Sequence, residues 1–140
     1  MTDAGAVFSF GCGEHGAVFS FGCGEHGALG HNSLNSEVLP RRIDALTQMG
    51  RRFVAVAAGS RHALALTDDG QLYGWGDMCN GHGQTQHTPQ LVTALAGQRV
   101  LLVYAHDCSS CAVTENGKLY TWGQFFGNSA HLGHGVDDPQ

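Results

Sequence analysis

The sequence lacks what most classes of function require. No apolar run approaches the roughly 18 to 20 residues needed to span a bilayer, and the opening MTDAGAV has neither the basic segment nor the long apolar core of a secretory leader. A cytoplasmic or nuclear protein with no membrane partner is therefore expected. Charge is scarce: only 14% of residues carry one, and the formal net charge of −5 offers no long-range attraction to nucleic acid or to an anionic surface. Proline is scarce too, at 3 residues, and no segment combines a helical period with caps over about ten residues. A single turn within Ser36 to Met49 is the most helix expected. Cysteines number 5, an odd set, and two of them, Cys12 and Cys23, are the same position copied; this argues against a disulfide framework and for reduced thiols.

What is present is glycine and repetition. The chain has 140 residues, the size of one ordinary domain, with 42% hydrophobic residues and 21 glycines. Gly5 to His15 and Gly16 to His26 spell the same segment, GAVFSFGCGEH, twice in succession. Each copy contains G-x-G-x-x-G, yet a dinucleotide loop needs a helix to follow, so that its N-terminal amides and dipole meet the pyrophosphate. Here one copy runs into another strand-like segment and the other into ALGHNSLNS. Cys12-x-x-His15 and Cys23-x-x-His26 have the spacing of zinc half-sites, but copying any segment with one Cys and one His creates that pattern without selection for a metal. Cys108-Ser-Ser-Cys111 places Cys111 at the position of apolar Leu64, where a thiol behaves as a small hydrophobe. No cofactor and no metal are expected. The identity reads as a recent duplication, a gene-prediction artefact or a cloning artefact. Residues 1–15 form the surplus copy, either disordered or paired as an extra strand, because only the second copy runs on into Ala28-Leu29-Gly30-His31.

A longer period lies beneath the short one. RHALALTDDGQLYGWG aligns with CSSCAVTENGKLYTWG, matching Ala65 with Ala112, Gly70 with Gly117, Tyr73 with Tyr120 and Trp75 with Trp122, each at an offset of 47. Pro40, Ile43 and Leu46 match Pro89, Val92 and Leu95 at an offset of 49, a difference that a loop-length change absorbs. FVAVAA, VLLVYA, HALALT, SCAVT, QLYGWG and KLYTWG read as short strands. Asp69-Gly70 and Asn116-Gly117 read as two-residue hairpin turns with positive φ at both centres. The expected fold is all-β.

The pattern V-x-x-x-x-G-x-x-H-x-x-x-L-x-x-x-G-x-L-Y-x-W-G is carried by Val54, Gly59, His62, Leu66, Gly70, Leu72, Tyr73, Trp75 and Gly76. Gly27-Ala28-Leu29-Gly30-His31 and Pro40, Ile43, Leu46 precede it; Gly117, Leu119, Tyr120, Trp122, Gly123 and Leu132-Gly133-His134-Gly135 follow. These residues resemble the regulator of chromosome condensation repeat over residues 16–135, with 136–140 a tail. The resemblance implies a partial β-propeller of antiparallel four-stranded blades, with about two to two and a half repeats of a seven-bladed ring. It departs from the pattern where His106 and Ser109 take the positions of Gly59 and His62, and where GDMCNGHGQ follows Trp75 without a Leu-Gly-His element.

Function follows from the resemblance and from the rims of such a scaffold. A protein-interaction scaffold is expected, part of a longer propeller; the alternatives are guanine-nucleotide exchange on a small GTPase or the repeat part of a ubiquitin ligase. Protein partners are implied, among them a small GTPase or a chromatin component, as is self-association through open blade edges. Arg41, Arg42, Arg51, Arg52 and Arg61 gather five of the seven basic residues and suggest a basic rim for a partner, against a plain solvated loop. Neither G-x-S-x-G nor H-E-x-x-H occurs, and His62 reads as a structural hydrogen-bonding residue between blades, so no enzyme is expected.

Overall fold

The computed structural model describes residues 7–10, for their backbone, and 17–123. These residues form three antiparallel sheets in chain order. The first sheet contains β1 (Val7–Phe10), β2 (Val18–Gly22) and β3 (Glu37–Arg42). The second is four-stranded: β4 (Phe53–Ala58), β5 (His62–Thr67), β6 (Leu72–Gly76) and β7 (Gln86–Leu91). The third holds β8 (Val100–His106), β9 (Ser109–Thr114) and β10 (Leu119–Gly123). Every pairing joins sequence neighbours, so these sheets are meanders, as in propeller blades.

The duplicated segment takes up a definite pairing. Val7 lies opposite Phe21 and Phe10 opposite Val18. In the second sheet Ala63 lies opposite Trp75 and Leu66 opposite Leu72. Phe21 and Val18 hold the β2 positions that correspond to Trp75 and Leu72, so β1 stands where the second strand of a blade stands. The Leu132–Gly133–His134–Gly135 element and the 136–140 tail lie outside the described residues.

The hairpin turns differ from the two-residue form expected. Thr67 N–H donates to Gln71 O at 3.0 Å and Gly70 N–H to Thr67 O at 3.0 Å, so Asp68, Asp69 and Gly70 form a three-residue loop. Only Gly70 has a positive φ there, 86°, and only Gly117, at 79°, in the matching turn of the third sheet. The physical reason is local. The Thr67 hydroxyl donates to Asp69, and Thr114 to Asn116, holding the acidic or amide side chain over a right-handed turn that needs one left-handed residue to close it.

Strand alternation sorts the core into two seams. Between the first and second sheets pack Val18, Ile43, Leu46, Phe53, Ala63, Ala65, Tyr73 and Trp75. Between the second and third pack Leu64, Leu66, Leu72, Val92, Leu95, Val100 and Ala112, with Tyr120 and Trp122 against them. Adjacent residues of β5 thus serve opposite seams, as a strand buried on both faces requires. The helix expected within Ser36 to Met49 is a short one, α1 (Asp44–Gln48), and a 3-10 turn at Thr93–Leu95 is its counterpart. Both plug the end of a seam: Ile43 N–H donates to Val18 O and Val92 N–H to Leu72 O, each at 2.8 Å. Among the described residues no helix is long and apolar enough to cross a membrane.

Candidate protein-interaction surface

Two rims of loops are held by the seams, so the seams decide how rigidly any partner-binding surface is presented. Each seam is fastened by an indole. Trp75 Nε1 donates across the first seam to Ala28 O at 2.8 Å, and Trp122 Nε1 across the second to Cys79 O at 3.1 Å. Both acceptors directly precede a dipeptide whose glycine has a positive φ, Leu29-Gly30 and Asn80-Gly81. A Cβ at Gly30 would come within 3.0 Å of Trp75 Nε1, so the bare backbone there is what lets the indole approach. Asn80-Gly81-His82 therefore stands where Leu29-Gly30-His31 stands in the first sheet, and the element missing by sequence after Trp75 is present in altered form. Asn80 replaces the buried Leu29 and satisfies its own amide: Nδ2 donates to Gly76 O and Gln84 O, each at 2.9 Å, and Oδ1 accepts from His82 N–H at 2.8 Å.

His62 adds a second fastening. Its Nε2 lies 2.6 Å from Ser110 Oγ, and Ser110 donates its one hydroxyl proton to Cys79 O at 3.1 Å. With that proton committed, Ser110 accepts from His62, which fixes the tautomer as Nε2–H and leaves Nδ1 a bare lone pair. His62 Nδ1 is buried without a hydrogen-bond partner, a milder defect for a lone pair than for an N–H. Cys79 O consequently accepts from both Ser110 and Trp122, using both of its lone pairs. Burial lowers the His62 pKa from 6.5 to about 4, against the opposing pull of Asp77 and Asp107, so the ring is neutral. Gly59 makes room for it: a Cβ there would lie 2.3 Å from His62 Cε1 and 2.5 Å from Asp107 O. The first sheet runs a similar relay. Ser20 donates to Leu29 O at 2.7 Å and accepts from His31 Nε2 at 2.9 Å, and burial, with Arg41 nearby, lowers the His31 pKa.

The other repeat residues take structural places. Tyr73 packs edge-on against Phe53 with ring centroids 5.7 Å apart, and the Tyr120 hydroxyl donates to Gln98 Oε1 at 2.9 Å. Gly76 and Gly123 end matching strands where a Cβ would sit 2.4 Å from Arg61 O and 2.2 Å from Cys108 O. In the third sheet Ser109, at the position of His62, turns back on its own hairpin and donates to His106 O at 3.0 Å.

The five arginines are not gathered on one rim. Arg42, Arg51 and Arg52 flank α1 at the rim that also holds the Asp68 to Gly70 turn, whereas Arg61 lies at the far end of β4 beside Asp77. Carboxylates meet four of them: Arg41 pairs with Glu37 at 2.7 Å, Arg42 with Asp44 at 2.9 Å, Arg51 with Asp69 at 2.8 Å and Arg61 with Asp77 at 4.0 Å. Asp69 is held below the usual carboxylate range, by the Thr67 hydrogen bond first and Arg51 after it. The surface is thus a mosaic of both signs. Sequence order concealed part of this, because Asp69 and Asp77 reach their arginines from turns well removed along the chain.

Known proteins share this architecture. Residues 15–66 and 53–84 each match the regulator of chromosome condensation (RCC1) repeat. The human E3 ubiquitin-protein ligase HERC2 is 35% identical over 105 residues, which is 71% of this chain and 2% of that protein. Mouse RCC1 domain-containing protein 1 is 40% identical over 73 residues, 52% of this chain and 16% of that one. Prp20p from Saccharomyces cerevisiae, solved together with its binding properties to Gsp1p and histones, superposes with a TM-score of 0.74 at 26% identity, covering 94% of this chain and 33% of its own. The chain spans a small part of these curated relatives and a third of the solved propeller. With its paired indole fastenings and recurring sheets, it is a partial β-propeller and belongs to the regulator of chromosome condensation repeat family.

Proposed function

We propose that this chain serves as a protein-interaction scaffold, binding its partner through rim loops rather than transforming it. The observation that carries the reading is the pair of indole-to-carbonyl fastenings, Trp75 to Ala28 and Trp122 to Cys79, which fix neighbouring sheets and hence the loops between their strands. Loops on a rigid frame are where such folds place recognition. The partner is a protein, with a small GTPase or a chromatin component first in line given the likeness to Prp20p. The mixed rim of Arg42, Arg51, Asp44 and Asp69 suits a polar protein surface better than a polyanion. Within this reading residues 16–135 form the array, 1–15 an added copy and 136–140 a tail, in a cytoplasmic or nuclear protein. Exchange of guanine nucleotide on a small GTPase is the second reading, favoured by the same likeness. Immobilised chain offered purified histones and nucleotide-loaded small GTPases separates the two. Stable capture with unchanged nucleotide release is expected; accelerated release replaces the scaffold with an exchange factor, and no capture of either class overturns the choice of partner.

A further inference from the structure

Among the described residues, two asparagines precede glycine: Asn80-Gly81 and Asn116-Gly117. An asparagine in that setting has the least protected of side-chain amides, because the next residue has no Cβ to keep its backbone nitrogen from the asparagine Cγ. Asn32 and Asn35 each precede serine, whose side chain crowds the same approach. The fold treats the two Asn-Gly pairs in opposite ways.

Asn80 has no exposed surface and its whole amide is engaged, Nδ2 with Gly76 O and Gln84 O and Oδ1 with His82 N–H. Its Cγ is pinned, and any reaction there would forfeit all three bonds. Asn116 instead stands at the tip of the β9–β10 hairpin, between exposed Glu115 and exposed Lys118. Its Oδ1 accepts from the Thr114 hydroxyl, which draws electrons from Cγ, while Nδ2 has no bond to the described residues. The Gly117 N–H is held by a bond to Thr114 O at 2.9 Å. Asp69 is the counterpart of Asn116 in the second sheet, and with the third sheet packed beyond it the Asp69 side chain stays 53% exposed. A sheet following the third would leave Asn116 open to water in the same way.

We propose that Asn116 is a site of spontaneous deamidation and that the fold shields Asn80 from the same reaction. The Gly117 nitrogen gives up its proton to hydroxide and attacks Asn116 Cγ. The new C–N bond forms as the bond from Cγ to Nδ2 breaks, and Nδ2 takes a proton from water and leaves as ammonia. Water then opens the cyclic imide at either carbonyl, giving aspartate or isoaspartate. The aspartate product reproduces the second sheet, where Asp69 takes the Thr67 hydroxyl in the same turn. The isoaspartate product adds a backbone carbon ahead of Gly117, so its N–H loses Thr114 O and the hairpin tip opens. The inference stands apart from the scaffold reading, since it is tested on the chain with no partner present.

The test holds the purified full chain, shown by circular dichroism to be folded, in neutral and in mildly alkaline buffer, beside the same chain unfolded in guanidinium. Peptide mapping, with labelling by an isoaspartate-specific carboxyl methyltransferase, reads each asparagine separately. In the folded chain Asn116 should convert about tenfold or more faster than Asn80, because three bonds and burial hold Asn80 back, and faster still in alkali. In guanidinium the two Asn-Gly pairs should convert at similar rates. Asn116→Asp, which suits the turn as Asp69 does, should remove the acidic form that accumulates in the parent. Equal rates at Asn80 and Asn116 in the folded chain overturn the proposal. So does first conversion at Asn32 or Asn35, or an Asn116 that stays intact while the unfolded chain converts.

Discussion

Mild acid should loosen this array through His62 before most of its carboxylates are protonated. The side chain has no exposed surface, and burial places its folded pKa at about 4 against 6.5 for the free ring. A folded pKa below the unfolded one means that the unfolded chain binds the extra proton between those values. The contribution is complete above pH 6.5 and is lost as pH falls toward 4. The gap corresponds to about 3 kcal/mol in full and about 2 kcal/mol by pH 5, a large fraction of the roughly 5 to 15 kcal/mol that holds an ordinary domain. Protonation would also convert Nδ1 from a tolerated lone pair into a buried N–H with nothing to meet. The assay is urea unfolding followed by tryptophan fluorescence at pH 7 and pH 5, on the parent chain and on His62→Gln, whose amide can still donate to Ser110 but cannot titrate. The parent should lose about 2 kcal/mol more than the variant between the two conditions. His31, whose pKa is lowered by burial, acts in the same direction in both proteins and cancels from the difference. Equal losses in the two proteins would refute a role for His62 in the acid response.

The two indole fastenings should not be equal. Trp75→Phe leaves a fully buried site short of one ring and deprives Ala28 O of its indole donor, costing about 2 to 4 kcal/mol. Trp122→Phe should cost about 1 kcal/mol, because Cys79 O keeps its bond from Ser110 and the ring is only half-buried; equal urea midpoints for the two variants contradict this. Asn80→Leu restores the residue type of Leu29 yet strips three hydrogen bonds from Gly76 O, Gln84 O and His82 N–H, and should destabilise by about 2 kcal/mol or more in the same assay. A stabilised variant would show that the apolar residue, rather than the amide network, suits this loop. Arg61→Ala, which breaks only a 4.0 Å surface contact with Asp77, should leave the midpoint within about 0.5 kcal/mol of the parent.

The residues that reveal the fold in the sequence are those whose side chains do the work. Trp75, Trp122, Tyr73 and Tyr120 recur at a fixed offset because a ring of that size is wanted at that depth in each seam, and Pro40-Ile43-Leu46 recurs because each seam needs a plug. The role of Cys79 was illegible, since it acts through its carbonyl and its counterpart Ala28 shares no side-chain feature with it. The Asn80-Gly81-His82 element was hidden for a related reason. The stretch from Gly76 to Gly81 is three residues shorter than that from Gly22 to Gly30, and an amide that bonds to its own loop stands in for a leucine. The hairpin signals named the right turns and the wrong geometry, because Thr67 and Thr114 lie just outside the two residues on which the rule is built. The arginines read as a cluster only along the chain; strand β4 carries Arg61 to the opposite rim from Arg52.

The divergence of the third sheet from the repeat pattern bears on what can cover it. His62 reaches forward out of the second sheet to Ser110, and Gly59 is bare so that the ring fits. In the third sheet those positions are Ser109 and His106, and Ser109 spends its hydroxyl on the carbonyl of His106 within its own turn. No imidazole therefore extends from this position toward whatever follows. A contact on that face draws on the area of Leu102, Tyr104, Val113 and Leu119, with His106 next along the same face of β8. The second seam, by contrast, weakens between pH 7 and 5 through His62.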